Sequence, residues 1–139
     1  MVFKNDNEVL FENRDMLKDG GFFSDCPIGW GMLVRQLFND IRKVCEKHKS
    51  AFPMVAQVKS KFGCLCFYLE QDNRMVEDSP AATEVNILIG DAEKKSMVTC
   101  EITGLPGSYY VKDGWYATLN EKRANELGYT KAQTIQVLL

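Results

Sequence analysis

The chain has 139 residues, 45% of them apolar and 11% aromatic, a length and composition that suit one domain with a real core and exclude a disordered or low-complexity chain. No segment approaches the roughly 18 apolar residues of a membrane span, and residues 1–12 lack a basic start followed by an apolar run, so neither membrane insertion nor export is expected. The net charge of −2 is unevenly spread: residues 1–29 carry 3 basic and 6 acidic side chains, 30–69 carry 7 and 2, and 70–139 carry 7 and 11.

Residues 1–28 have no sustained periodicity and read as a partly ordered lead-in with turns at Asp19-Gly20-Gly21 and Pro27-Ile28-Gly29, anchored by Phe22 and Phe23. Residues 29–139 are expected to form a single α+β domain. From Trp30 to His48 the residues Trp30, Leu33, Val34, Leu37, Phe38, Ile41, Val44 and Cys45 recur at three- and four-residue steps, the pattern of an amphipathic helix. Pro53 ends that pattern, and Met54, Ala56 and Val58 then alternate with Val55, Gln57 and Lys59 as a strand. A turn around Lys59 to Gly63 leads into Phe62 to Leu69, an apolar run that predicts a strand buried on both faces.

Ser79-Pro80 supplies an N-cap followed by proline at the first helical position, and Val85, Leu88, Ile89, Ala92 and Ser96 share one face of a helix ending near Met97. Val98 to Ile102, Ser108 to Lys112 and Trp115 to Leu119 read as strands, the last two joined at Asp113-Gly114. Asn120 can cap a short helix over Glu121 to Leu127, which Gly128 would end in a left-handed conformation. Thr130 onward is ambiguous between a helix and an edge strand over Thr134 to Leu139. Two amphipathic helices packed on a mainly antiparallel sheet, built from two hairpins plus an extra strand, is the expected architecture.

Chemistry has little to work with. The single histidine, His48, sits at a charged helix end, where a cation complements the helix dipole. An odd set of cysteines, Cys26, Cys45, Cys64, Cys66 and Cys100, fits reduced thiols in a cytoplasm better than a disulfide framework. Cys64 and Cys66 share a strand face but have no companion pair to complete a tetrahedral metal site, and burial would raise their pKa values. The pairs Glu77 with Asp78 and Asp91 with Glu93 read as solubilising charge. No phosphate-binding glycine loop occurs. No catalytic residue, metal ligand or cofactor is therefore expected.

Gly29-Trp30-Gly31 ahead of the first helix, and Gln57-Val58-Lys59-Ser60-Lys61-Phe62-Gly63-Cys64-Leu65-Cys66-Phe67-Tyr68 after it, resemble a family of small phage and prophage proteins. The recurring core of that family reads Gln-Val-Lys-Glu-Lys-Phe-Gly-x-Leu-Arg-Phe-Tyr, from which this chain departs at Ser60 and Cys66. The resemblance runs on through Asp91 to Ser96, Thr99-Cys100-Glu101, Pro106-Gly107 and Gly114-Trp115. It implies a C-terminal zinc-binding module that is degenerate here: Cys100 fits, Thr103 stands in the place of the second cysteine, and Leu119 or Asn120 falls in the region of the third. The strands of that region are then expected to be held by Leu105, Tyr109, Tyr110, Val111, Trp115 and Tyr116.

The expected function is a small non-enzymatic protein-binding module of phage or prophage type, located in the host cytoplasm, whose partner is a host protein and whose role is to inhibit a host defence factor. Tyr109, Tyr110, Trp115 and Tyr116 are the candidate partner-binding residues, because aromatic side chains dominate interface hot spots. The alternative is a nucleic-acid-binding module derived from a zinc-binding ancestor, using Arg35, Arg42, Lys43, Lys47, Lys49, Lys59 and Lys61 as a basic surface.

Overall fold

A computed structural model describes residues 8–71 and 74–132. The fold is α+β, with helices packed against antiparallel strands. Its elements are α1 (Glu8–Glu12), α2 (Gly31–Lys47), β1 (Val55–Lys61), β2 (Cys64–Leu69), α3 (Pro80–Ser96), β3 (Ser108–Lys112), β4 (Trp115–Leu119), α4 (Glu121–Leu127) and β5 (Thr130–Lys131), with short 3-10 turns before α2. The two hairpins belong to separate sheets, β1-β2 and β4-β3-β5. The strand considered over Thr134 to Leu139 lies outside the described residues.

The principal core forms where the apolar stripe of α2 meets β1, β2 and α3. Val34, Leu37, Phe38, Ile41 and Cys45 are buried along one side of α2, and Val85, Ile89 and Ala92 along α3. Phe38 and Phe67 meet edge to face, with ring centroids 5.2 Å apart. The segment expected as a lead-in is integral to this core from residue 8 onward. Val9, Leu10, Met16, Leu17 and Cys26 are all buried in it. It is tied down by polar contacts that carry no periodic signature: Asn13 Nδ2 donates to the Val9 carbonyl at 2.9 Å, while its Oδ1 accepts from Arg42 at 3.0 Å.

A two-stranded sheet has two unpaired edges, and both are covered here. On the β1 side, Ser24 Oγ accepts from Val58 N–H at 2.8 Å and Asp25 N–H donates to the Val58 carbonyl at 2.8 Å. On the β2 side, Ser96 Oγ accepts from Leu65 N–H at 2.9 Å, and the Glu93 carboxylate accepts from Phe67 N–H. Two side chains of α3 thus supply the acceptors a third strand would have offered. That is why Ser96 lies on the buried face of its helix.

The strand expected over Val98 to Ile102 does not form. Only Thr99 makes a bridge, to Pro106, and the chain turns sharply so that Gly104 N–H donates to the Cys100 carbonyl at 2.9 Å. The same turn directs backbone N–H groups at the Cys100 sulfur, an arrangement that extended pairing would not permit. β2 also differs from the expected run buried on both faces: Phe62 belongs to the turn and Tyr68 is exposed.

The C-terminal hairpin packs Tyr110, Ala117 and Leu119 against Ala124 of α4 and against Cys100. Asn120 caps α4 through its side chain, and Gly128 ends it at φ 79°. The two parts of the molecule meet along a tight backbone seam. Gly29 N–H donates to the Glu101 carbonyl at 2.9 Å, and Trp30 Nε1 to the Thr99 carbonyl at 2.8 Å. A Cβ on Gly29 would fall 2.2 Å from the Cys100 carbonyl oxygen, so only glycine fits there. The buried Thr118 hydroxyl donates to the Gly63 carbonyl at 2.6 Å and fixes the tip of the first hairpin to the second sheet.

Candidate functional site

In the second hairpin, strand alternation puts Tyr109, Val111, Tyr116 and Thr118 on one face and Tyr110, Lys112, Trp115, Ala117 and Leu119 on the other. Tyr110 is buried beneath α4. Tyr109 is half-buried and stacks on Tyr116 at 5.1 Å between ring centroids, with the planes 10° apart. Burial raises the Tyr109 phenol pKa, with the Tyr116 and Cys64 groups adding to the effect, and its hydroxyl has no hydrogen-bond partner among the described residues.

Trp115 is 75% exposed and Tyr116 38% exposed. For Trp115 the reason is the length of α4, which covers Tyr110, Ala117 and Leu119 on that face but stops before the hairpin tip; Tyr116 lies on the opposite face, away from α4. Lys112, cross-strand from Trp115, turns away to donate from Nζ to the Leu127 carbonyl at 2.8 Å, satisfying an acceptor at the helix end. The aromatic set expected to hold this region together is therefore divided. Tyr110 packs in the small core, the Tyr109–Tyr116 stack lines the opposite face, and Leu105 and Trp115 are exposed.

The basic side chains expected as one surface are dispersed by ion pairing. Arg35 pairs with Glu12. Arg42 pairs with Asp15 at 2.9 Å and lies over the Phe52 ring, and this guanidinium holds the Asp15 carboxyl below the usual range. Lys47 pairs with Glu84 at 2.8 Å, and His48 Nε2 meets the other oxygen of that carboxylate at 2.9 Å. These cations fasten α2 to the N-terminal segment and to α3. Lys43, Lys49, Lys59 and Lys61 have no ion pair among the described residues, and Lys59 and Lys61 lie on β1, away from the helix.

Cys64 and Cys66 share a face of β2, as the sequence implied. Burial pushes the Cys64 thiol up, and Tyr68 Oη donates to Cys66 Sγ at 3.5 Å. Cys100 is fully buried. Burial acts to raise its pKa, but hydrogen bonds from Thr103 and from the backbone N–H groups of Asn120 and Ile102 outweigh that and bring it below the ordinary thiol value. The Thr103 N–H lies 3.4 Å from the sulfur. This cradle places Thr103 and Asn120 beside Cys100, where the resemblance puts further zinc ligands. A hydroxyl and a carboxamide do not replace thiolates, and no group of three or more His, Cys, Asp or Glu among the described residues could hold a metal ion. The residues present do not fit zinc.

No family model, no curated protein and no solved structure matches this chain. No helix among the described residues is long and apolar enough to cross a membrane.

Glu93, expected as solubilising charge, instead covers the β2 edge with Ser96, and neither that role, the carboxylate of Glu101 nor the strained turn at Phe62 is among the expected features. Glu101 accepts from Thr118 N–H at 3.1 Å, and burial raises its pKa against that hydrogen bond. Of these, only the Phe-Gly dipeptide at a hairpin turn had a sequence signal.

Proposed function

We propose that the protein is a non-enzymatic binding module whose partner is a protein, engaged at the tip of the second hairpin. The observation that carries this reading is Trp115, 75% exposed near the tip of a hairpin whose inner positions are buried. A large aromatic that contributes little to a core, on a frame fixed by Thr118 and α4, has the character of an interface anchor. The phage setting, implied by the resemblance, and the inhibition of a host defence factor, inferred from the small size and the lack of catalytic groups, belong to the same proposal. Affinity capture from host lysate tests it. A protein retained by the wild type should be weakened by about 1 to 3 kcal/mol in Trp115→Ala, with the denaturation midpoint unchanged. Retention that ignores Trp115 and Tyr116 but collapses when Arg42, Lys43 and Lys47 are neutralised would move the surface to α2.

A further inference from the structure

The two hairpins use the same turn with different residues. Phe62 and Gly63 have φ of 52° and 77°, and Asp113 and Gly114 have 50° and 80°, each pair closed by a directly opposed strand pair, Lys61 with Cys64 and Lys112 with Trp115. A two-residue turn of this hand favours Asn-Gly or Asp-Gly, because a short polar side chain tolerates left-handed backbone and a bulky aromatic does not. The second hairpin follows that rule and the first breaks it. Burial would be a sufficient reason for the exception, but Phe62 is 56% exposed. The turn is rigidly mounted, with Thr118 bonded to the Gly63 carbonyl and the Ala117 backbone packed against Gly63. Strain held in an exposed, over-determined position points to a ligand.

The pairing register puts Gln57, Lys59, Lys61, Cys64, Cys66 and Tyr68 on one face of this hairpin, opposite Val58, Leu65 and Phe67 in the core. Tyr68 is 47% exposed, its ring anchored by the contact to Cys66. Lys94 of α3 joins Lys61, Phe62 and Tyr68 around a groove of about 510 Å³. Lys59, Lys61 and Lys94 have no ion pair among the described residues, in contrast to Arg35, Arg42 and Lys47. The carboxylate of the groove, Glu93, is directed inward to the Phe67 N–H.

We infer that the exposed part of this face, around Lys61, Phe62 and Tyr68, binds single-stranded nucleic acid, a function separate from the protein surface at Trp115. Phe62 and Tyr68 offer ring faces for bases, and the three lysines between and beside them meet phosphates. A duplex, whose base faces are hidden, fits such a face poorly.

Fluorescence anisotropy with labelled oligo-dT of about 12 nucleotides tests the assignment. Binding should fall about 20-fold between roughly 50 and 200 mM salt, as expected for about three phosphate contacts on a single strand. The matching duplex should compete poorly. Lys59→Gln with Lys61→Gln should weaken binding about tenfold. Phe62→Asn should weaken it about tenfold as well, without lowering thermal stability, because Asn-Gly suits the turn better than Phe-Gly. Trp115→Ala should leave oligonucleotide binding unchanged, which separates this assignment from the protein-binding one. No binding at low salt, equal binding of the duplex, or indifference to Phe62→Asn each overturns the inference. So does a captured protein that depends on Phe62 when the oligonucleotide is not bound.

Discussion

The part of the molecule built on α2, α3 and the first hairpin differs from the part around the second hairpin in what holds it together. The former has a broad apolar core in which Trp30, Phe38, Ile41, Leu65 and Val85 are fully buried, and it gathers its N-terminal segment through Val9 and Met16. The latter has a small one, Cys100, Tyr110, Ala117, Leu119 and Ala124, and relies instead on caps, close backbone approaches and the hydrogen-bonded turn around the Cys100 sulfur. The contrast separates two ways of fixing a structure. Area removed from water stabilises in proportion to its size and tolerates local adjustment, whereas a backbone contact with no spare space is specific and unforgiving. The weakly cored part is also the one that displays Trp115, beyond the end of α4, and Tyr116, on the face opposite α4.

The largest expected effect tests the strong core. Phe67→Ala should cost about 3 to 5 kcal/mol and Leu37→Ala about 2 to 5, read from urea midpoints, because each leaves a cavity among α2, β1 and β2. An unchanged midpoint would mean that neither side chain carries the packing of this region. Gly29→Ala tests the seam. The added Cβ meets the Cys100 and Glu101 backbone, which has no rotamer to yield, so a loss of about 3 kcal/mol is expected. Hydrogen exchange should show the turn over 99–107 opening before α2 in that variant; uniform opening would argue that the two parts unfold as one unit.

Glu101→Gln sharpens the account of the second part through pH. Burial raises the Glu101 pKa above its ordinary 4.5, so the folded state holds the proton more tightly than the unfolded one. Stability contributed by protonation is present below that value and is lost as pH rises through the raised folded pKa. Glutamine keeps an oxygen for Thr118 N–H and removes the charge. The variant should therefore melt higher than the wild type near neutral pH and show no advantage below about pH 4.5. The smallest effect belongs to Tyr109→Phe. Its hydroxyl is buried without a partner among the described residues, so removing it should leave stability unchanged or raise it by less than about 1 kcal/mol. A clear loss would reveal a partner for that oxygen.

Much of this fold was legible in the chain because its signals are local. The apolar spacing along Leu33, Val34, Leu37, Phe38 and Ile41 predicts α2, Ser79-Pro80 the start of α3, Asp113-Gly114 the second hairpin, and Asn120 with Gly128 both ends of α4. Each is a property of a few consecutive residues, whose backbone preference and periodicity hold in any context that buries one face. Tertiary structure decided the rest. It brought the Asn120 N–H to the Cys100 sulfur, where Val98 to Ile102, expected as a strand, closes a turn through hydrogen bonds local to residues 98–107. It also paired Arg35 and Arg42 with Glu12 and Asp15 instead of leaving them as a basic face, and set Glu93 and Ser96 against the edge of β2. The physical reason is that an ion pair, a covered strand edge or an exposed indole depends on which surfaces meet, and that follows from the packing of elements far apart in sequence.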